Sequence, residues 1–321
     1  MQQCILGRTG LSVSRIVLGT MTFNREADAM VAADMLDAAL EAGVNCIDCA
    51  DTYADGASER LLGRLLAGRR DRVVLTSKVC GTTGPSANDR GLSRRHIMTA
   101  CEASLRRLGT DHLDIYFMHY PDPHCDPDIS LRAMDELVRA GKVRCIGASN
   151  HAAWQYFDRL HRSERLGLEP ISVIQPQYNL LKRTAEVEIL PMARHCGLGV
   201  MSYSPLGAGI LTGKYAEAEA PGRLQTDERY QARYGTADAY AIGAAFAELA
   251  HAAGWEPATL AAAWALRRAM VDAVIVGARS VEQLTPALAA GGEELDPELS
   301  LQVERLVPRV PLATDRDEER G

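Results

Sequence analysis

Residues 113–150 read LDIYFMHYPDPHCDPDISLRAMDELVRAGKVRCIGASN, and their pattern decides the fold. The apolar run Leu113 to His119 predicts a strand, the spacing of Ile129 to Ala140 predicts an amphipathic helix stopped by Gly141, and Cys145 to Ala148 predicts a second strand. Two parallel strands need a crossover between them, and a helix of this length supplies one.

The same alternation extends outward in both directions. Further strands are predicted at Ile16 to Leu18, Asn45 to Asp48, Val73 to Lys78, Val173 to Gln177, Gly199 to Tyr203 and Ala273 to Val276. Helices are predicted at Asp28 to Ala42, Ser58 to Leu66, Ser93 to Leu108, Ala152 to Arg162, Ala185 to Cys196 and Ser280 to Ala290. Ser93 is a good N-cap, and Gly43, Gly109 and Gly197 stand just past the last turns of their helices. Eight such βα units in series can close the sheet on itself and abolish its edges, which makes the fold an α/β, (β/α)8 TIM barrel.

Residues outside the repeat are extras. CILGRTGLSV, from Cys4 to Val13, predicts an N-terminal hairpin at the bottom of the barrel. Asp238 to Gly254, Pro257 to Arg268 and Pro297 to Leu306 predict additional helices, with residues 1–312 forming a single domain and the acidic stretch 313–321 a disordered tail. A doubly wound sheet is the alternative, but no G-x-G-x-x-G follows a predicted strand. The segment from Gly207 to Lys214 is not a P-loop, because Ala208 takes the first glycine position and Tyr215 the Ser/Thr position.

Composition narrows the function. The 321 residues include 35 basic and 42 acidic ones, for a net charge of −7, the wrong sign for a general nucleic-acid or anionic-membrane binder. The start lacks a charged segment followed by an apolar run, and no stretch is apolar enough to span a membrane, so the expected location is cytoplasmic. Eight dispersed cysteines fit reduced thiols. Cys46 and Cys49 have C-x-x-C spacing, but no second pair completes a zinc site, and no metal is expected. A homo-oligomer is compatible with the sequence. Just four lysines, Lys78, Lys142, Lys182 and Lys214, stand among the basic residues, so lysine is not scattered as surface charge.

In a barrel of this type the chemistry sits at the C-terminal ends of the strands. Asp48 ends the second strand with Tyr53 in the loop beyond it, Lys78 ends the third and His119 the fourth. Ser149 and Asn150 end the fifth, Gln175 lies in the sixth, and Tyr203 and Ser204 end the seventh. A buried lysine needs a carboxylate, and Asp48 on the neighbouring strand supplies it. The ammonium beside Tyr53 lowers the free energy of a developing phenolate, so the tyrosine becomes a usable proton donor. Hydride addition to a carbonyl requires such a donor, and His119 can orient the oxygen.

The residues also carry a resemblance. IDCADTYADGASERLLG, TSK, DIYFMHYPDP, GASN, QPQYN and YSPLGAGILTGKY occur in that order between LGRTGLSVS and GARSVEQL, and in these the chain resembles the aldo-keto reductases over nearly its whole length. It is most similar to the branch holding potassium-channel β subunits and bacterial sugar or aldehyde reductases. The resemblance implies a catalytic tetrad of Asp48, Tyr53, Lys78 and His119. It implies a nicotinamide cofactor whose carboxamide is held by Ser149, Asn150 and Gln175 and whose ring stacks on Tyr203. Ser204, Pro205, Leu206, Gly207 and Gly209 would follow the pyrophosphate, with charge from Lys214 and Arg223. Gly277, Arg279 and Gln283 would contact the adenosine end, and Thr20 and Met21 would join the cofactor contacts. NADPH is expected in preference to NADH, because Arg279 falls where the family places its 2′-phosphate contacts. The substrate would be a small aldehyde or ketone, with keto-sugars among the candidates, and Met21 and Phe23 lie near where the family builds its substrate pocket.

The sequence departs from the family pattern at Cys49, where threonine is usual, and at Ala54, where glycine usually follows the tyrosine. Pro286 and Ala287 replace a frequent Glu-Asn pair that contacts adenine. A cofactor-sensing subunit with little turnover is the alternative from another class. A barrel hydrolase would need a metal cluster or paired carboxylates at strand ends, and neither is seen.

Overall fold

The computed structural model describes residues 1–215, 222–267, 270–311 and 313–314, without the side chain of Arg223. Among them, eight parallel strands close into a barrel. These are β3 (Ile16–Gly19), β4 (Cys46–Asp48), β5 (Val74–Val79), β6 (Leu113–Met118), β7 (Val143–Ser149), β8 (Ile171–Gln175), β9 (Gly199–Tyr203) and β10 (Ala273–Val276). Sequential strands pair around the ring, and β10 closes it by pairing with both β9 and β3. The (β/α)8 barrel expected from the alternation is the fold. The N-terminal hairpin is present as β1 (Gln3–Ile5) and β2 (Ser12–Ser14), paired antiparallel.

The barrel interior is a packed core. Val17, Cys46, Ile115, Phe117, Val173, Met201, Ala273 and Ile275 fill it from the strands, and Leu6 and Val13 of the hairpin join the same cluster. Gly7 has a positive φ of 54° and approaches the backbone of Gly199 too closely to leave room for a Cβ, which seats the hairpin at the N-terminal start of β9. The hairpin therefore plugs the bottom, as expected. On β7, Gly147 leaves room for the ring of its register partner Phe117.

The helices are α1 (Ala29–Glu41), α2 (Ala57–Leu65), α3 (Arg94–Leu108), α4 (Pro127–Arg139), α5 (Ala153–Leu166) and α6 (Ile189–Cys196), then α7 (Arg223–Thr226), α8 (Glu228–Tyr234), α9 (Ala237–Ala252), α10 (Pro257–Leu266), α11 (Val281–Ala289) and α12 (Pro297–Glu304). Ser93 caps α3 by accepting from the N–H of His96, as its position predicts. The extra helices expected near the C-terminus are α9, α10 and α12.

Four expectations need correction. The helix after β7 does not end at Arg162; α5 runs on to Leu166 and stops at Gly167, whose φ of 63° makes the cap. The helix expected from Ala185 is broken, with a 3₁₀ turn at Thr184–Glu186 and α6 beginning at Ile189. Pro191 explains the break: it lacks an N–H and is tolerated in a first turn but not in a helix interior. The sixth barrel strand lies two residues earlier than predicted, so Gln175 is its last residue. Helices α7 and α8 are additions that the periodicity does not predict. Of the expected tail, residues 315–321 lie outside the described residues.

Cys46 lies in the barrel interior and Cys49 in the outer core, and all eight cysteines are free. The C-x-x-C spacing thus belongs to a strand whose side chains face opposite ways. Among the described residues no helix is long and apolar enough to cross a membrane.

Candidate active site

Register aligns the polar residues at the top of the barrel. Asp48 is the Cα partner of Thr76, and Lys78 pairs with Phe117, so Thr76 and Lys78 point inward beside Asp48. Lys78 is fully buried. Its Nζ donates to Asp48 Oδ2 at 2.6 Å, to the Cys49 carbonyl at 2.7 Å and to Tyr53 Oη at 3.1 Å, so each of its three protons has an acceptor. The second carboxylate oxygen, Asp48 Oδ1, accepts from Thr76 Oγ1 and Gln175 Nε2, both at 2.9 Å. Thr20, fully buried, ties down the Asp48 backbone through its N–H and its hydroxyl, each 3.0 Å from the Asp48 carbonyl.

Burial acts on Lys78, Tyr53 and His119. It pulls the Lys78 ammonium down and is the largest single effect there, but the interactions with Asp48 and Tyr53 together outweigh it, and the net shift is upward. It pushes the Tyr53 phenol up, against an opposing pull from Lys78. The ammonium does not win in the resting site, and Tyr53 is a neutral phenol with a proton to give. Burial, reinforced by Lys78, pushes His119 down to about 3, so its imidazole is neutral at physiological pH. Its Nδ1 is buried without a partner among the described residues, and its ring stands 6.3 Å from that of Tyr53 in an edge-on arrangement.

Tyr53 rides on an unusual turn. Ala54 (φ 48°, ψ 44°), Asp55 (φ 52°, ψ 43°) and Gly56 (φ 76°) are consecutively left-handed. The alanine noted in the sequence as a departure therefore occupies a conformation that glycine adopts at lower cost.

Ser149, Asn150, Gln175 and Tyr203 form one hydrogen-bonded series. Tyr203 Oη donates to Asn150 Oδ1 at 2.6 Å, and Asn150 Nδ2 donates to Ser149 Oγ at 3.0 Å and to the His119 carbonyl at 2.9 Å. Ser149 Oγ donates to the Gln175 carbonyl at 2.8 Å, and Gln175 reaches Asp48.

Most of the remaining expected residues lie in the segments after β9 and β10, with Arg223 in α7 and Gln283 in α11. Ser204, Gly207, Ala208 and Gly209 all have positive φ, between 55° and 91°, which coils Ser204–Pro205–Leu206–Gly207 and Gly209 tightly past the end of β9. The stem of Lys214 fills the space beside Gly209 that a Cβ would take. Arg223 begins α7, but its side chain lies outside the described residues. Gly277 and Arg279 follow β10, the N–H of Arg279 donates to Gln283 Oε1 at 3.2 Å, and Ser280 caps α11. Phe23 is fully buried in the outer core and is packing; Met21, half-buried, contacts Tyr230 Oη through its sulfur at 3.8 Å.

Several participants are absent from the residues expected from the sequence. Thr76 is discoverable there, since it lies two residues before Lys78 on the same face of a strand. Tyr234 of α8, whose hydroxyl accepts from Gln177 at 2.5 Å and Asn179 at 2.9 Å, pins that helix to the barrel mouth, and no local pattern announces it. Asp51 is buried with no side-chain hydrogen-bond partner for either carboxyl oxygen among the described residues, and burial, then the nearby Glu59, pushes it up to about 8. Glu59 itself accepts from Ser77 Oγ and Arg107 Nε, each at 2.6 Å.

Residues 15–307, which carry this whole constellation, match the sequence model of the Aldo/keto reductase family. The chain belongs to that family. As an aldo/keto reductase it is 37% identical over 305 residues to an uncharacterized oxidoreductase, YrpG, of Bacillus subtilis, covering 90% of this chain and 91% of the relative. It is 36% identical over 300 residues to a probable voltage-gated potassium channel subunit beta of Oryza sativa, again covering 90% and 91%. It is 34% identical over 317 residues to a putative aryl-alcohol dehydrogenase of Schizosaccharomyces pombe, covering 89% and 90%. Membership places this aldo/keto reductase among oxidoreductases that act on small carbonyl compounds.

Proposed function

We propose that the protein reduces an aldehyde or ketone, with keto-sugars among the candidates, to an alcohol using NADPH, with Tyr53 as the general acid and Asp48, Lys78 and His119 as its partners. The observation that carries this reading is the threefold engagement of Lys78 with Asp48, the Cys49 carbonyl and the Tyr53 hydroxyl.

The residues fit the cofactor. Arg279 has no carboxylate partner among the described residues and stands beside the capped start of α11, a setting that favours a phosphate. The coil from Ser204 to Gly209 brings backbone close to any pyrophosphate lying over it, with Lys214 alongside. Tyr203 offers a half-buried ring at the end of β9, linked through Asn150 and Ser149 to Gln175, while the buried Thr20 and the half-buried Met21 follow β3. When bound, the nicotinamide supplies hydride to the carbonyl carbon.

The chain's own residues do the rest. Negative charge developing on the carbonyl oxygen is met by the Tyr53 proton, transferred from Oη, while the neutral His119 ring donates a hydrogen bond that fixes the oxygen's direction. Lys78 stabilises the phenolate left behind, and Asp48 keeps Lys78 charged and in place. Tyr53 is then reprotonated from solvent. We take the protein to be cytoplasmic and leave room for a homo-oligomer.

A panel of aldehydes and keto-sugars with NADPH and NADH, scored by loss of reduced-nicotinamide absorbance, tests the function. Turnover with NADPH favoured is expected. Tight NADPH binding with almost no turnover on any carbonyl would favour a cofactor-sensing subunit, the reading suggested by the relative named as a channel subunit. Arg279→Ala should reduce the NADPH preference by about 10- to 150-fold, the worth of a charge-assisted hydrogen bond to phosphate. An unchanged ratio of kcat/KM values would remove Arg279 from 2′-phosphate recognition.

A further inference from the structure

We propose that Asn150 is a positioning residue that locks the Tyr203 ring across the barrel mouth before cofactor arrives, so that the Tyr203 hydroxyl, as well as its ring, sets cofactor affinity. The proposal rests on the reductase reading above.

Tyr203 ends β9 and Asn150 follows β7, so the 2.6 Å bond between them spans the intervening strand β8. The direction of every bond in the series is fixed. The Gln175 carbonyl can only accept, so Ser149 Oγ must donate to it and is left to accept from Asn150 Nδ2. The second Nδ2 proton goes to the His119 carbonyl, also acceptor-only. With both protons committed, Oδ1 must face Tyr203, and a flipped amide would set oxygen against carbonyl oxygen. The backbone suits the same arrangement, because Asn150 has φ 59°, a left-handed conformation that asparagine tolerates better than most residues.

Two consequences follow. Both Nδ2 protons of Asn150 are engaged in this arrangement, so donating one to the nicotinamide carboxamide exchanges the bond to Ser149 or to the His119 carbonyl, while Oδ1 keeps one lone pair to accept. The Tyr203 ring is held in one plane in advance, and the entropy of ordering it is already spent when a flat ring stacks on it. Because the bond lies at the solvent-facing mouth, its effect is modest, and because Asn150 also holds the His119 carbonyl, its loss reaches the oxygen-orienting side chain as well.

The test uses Tyr203→Phe, Asn150→Gly and the double variant; glycine accepts the positive φ at position 150. NADPH affinity is measured by fluorescence titration, and crystals of the unliganded single variants report the ring at position 203. Tyr203→Phe and Asn150→Gly should each weaken NADPH binding about 3- to 10-fold, with the double variant no weaker than Asn150→Gly alone. The fall in kcat should be larger for Asn150→Gly than for Tyr203→Phe, because only the first releases His119. Unaltered affinity in Tyr203→Phe, or losses that add in the double variant, would overturn the lock. If the wild type binds no NADPH, the reductase reading falls, while the ring decides the lock independently: displaced or multiply ordered in Asn150→Gly supports it, unmoved overturns it.

Discussion

The Nζ of Lys78 lies 3.1 Å from the Oη of Tyr53 and 4.8 Å from the centre of its ring, inside a pocket where Lys78 has no exposure to water. A charge so buried persists because Asp48 and the Cys49 carbonyl complete its shell. The same three contacts make the site both a structural ion pair and a proton-transfer device, and the two roles separate on mutation.

Lys78→Met removes the cation but roughly conserves volume. Asp48 Oδ1 keeps Thr76 and Gln175, while Oδ2 loses its partner in a dry site. Breaking a buried pair costs about 3 to 5 kcal/mol, so the urea midpoint should fall sharply along with turnover. An unchanged midpoint with lost activity would mean that the pair serves chemistry without holding the fold.

His119 should be silent in pH profiles. Burial, then Lys78, holds it near 3, against an ordinary value of 6.5, so the neutral ring persists through the working range and kcat/KM for reduction should show no limb near pH 6.5. The linkage sign agrees: the unfolded chain takes up this proton near pH 6.5 and the folded one does not, so stability is full above 6.5 and declines as pH falls toward 3. His119→Gln should gain stability relative to wild type on acidification across that window, measured by urea unfolding. A limb near 6.5 that vanishes in His119→Gln would show an imidazolium at work.

Ala54→Gly should stabilise the protein. A left-handed alanine costs roughly 1 to 2 kcal/mol, and the entropy glycine loses on folding offsets part of it, leaving a gain of up to about 1 kcal/mol. For a chain of this size the melting temperature should rise by about 2 °C or less, with kcat little altered. A fall in melting temperature would show that the methyl group contributes packing worth more than the backbone strain.

The barrel is legible in the sequence because each strand is a short apolar run, and six of the eight predicted strands, the second to the seventh, carry polar residues at or near their ends that a buried strand would not otherwise hold, as at Lys78 after Val73 to Leu75. What stays hidden depends on tertiary contacts. Helix α8 has seven residues, ERYQARY, with no apolar period; it is ordered by Asp227 at its N-cap and by Tyr234 reaching Gln177 and Asn179. Asn150 is recognisable as a site residue, but its saturation by His119, Ser149 and Tyr203 needs three strand ends in space. The charged run HRSERL conceals the last turn of α5, since the buried residue it contributes is Ser163 rather than an apolar side chain.

The central claim is that the Tyr53 hydroxyl supplies the proton, and Tyr53→Phe tests it most directly. The substitution deletes one oxygen, leaves the ring over Lys78, and should leave NADPH affinity near wild type. The measurement is kcat for reduction of an accepted aldehyde at saturating NADPH, compared between wild type and Tyr53→Phe. The expected result is a loss of about 10²- to 10⁴-fold, the usual contribution of general acid catalysis. A kcat within a few-fold of wild type on every aldehyde accepted would contradict the claim and leave Tyr53 as packing beside Lys78.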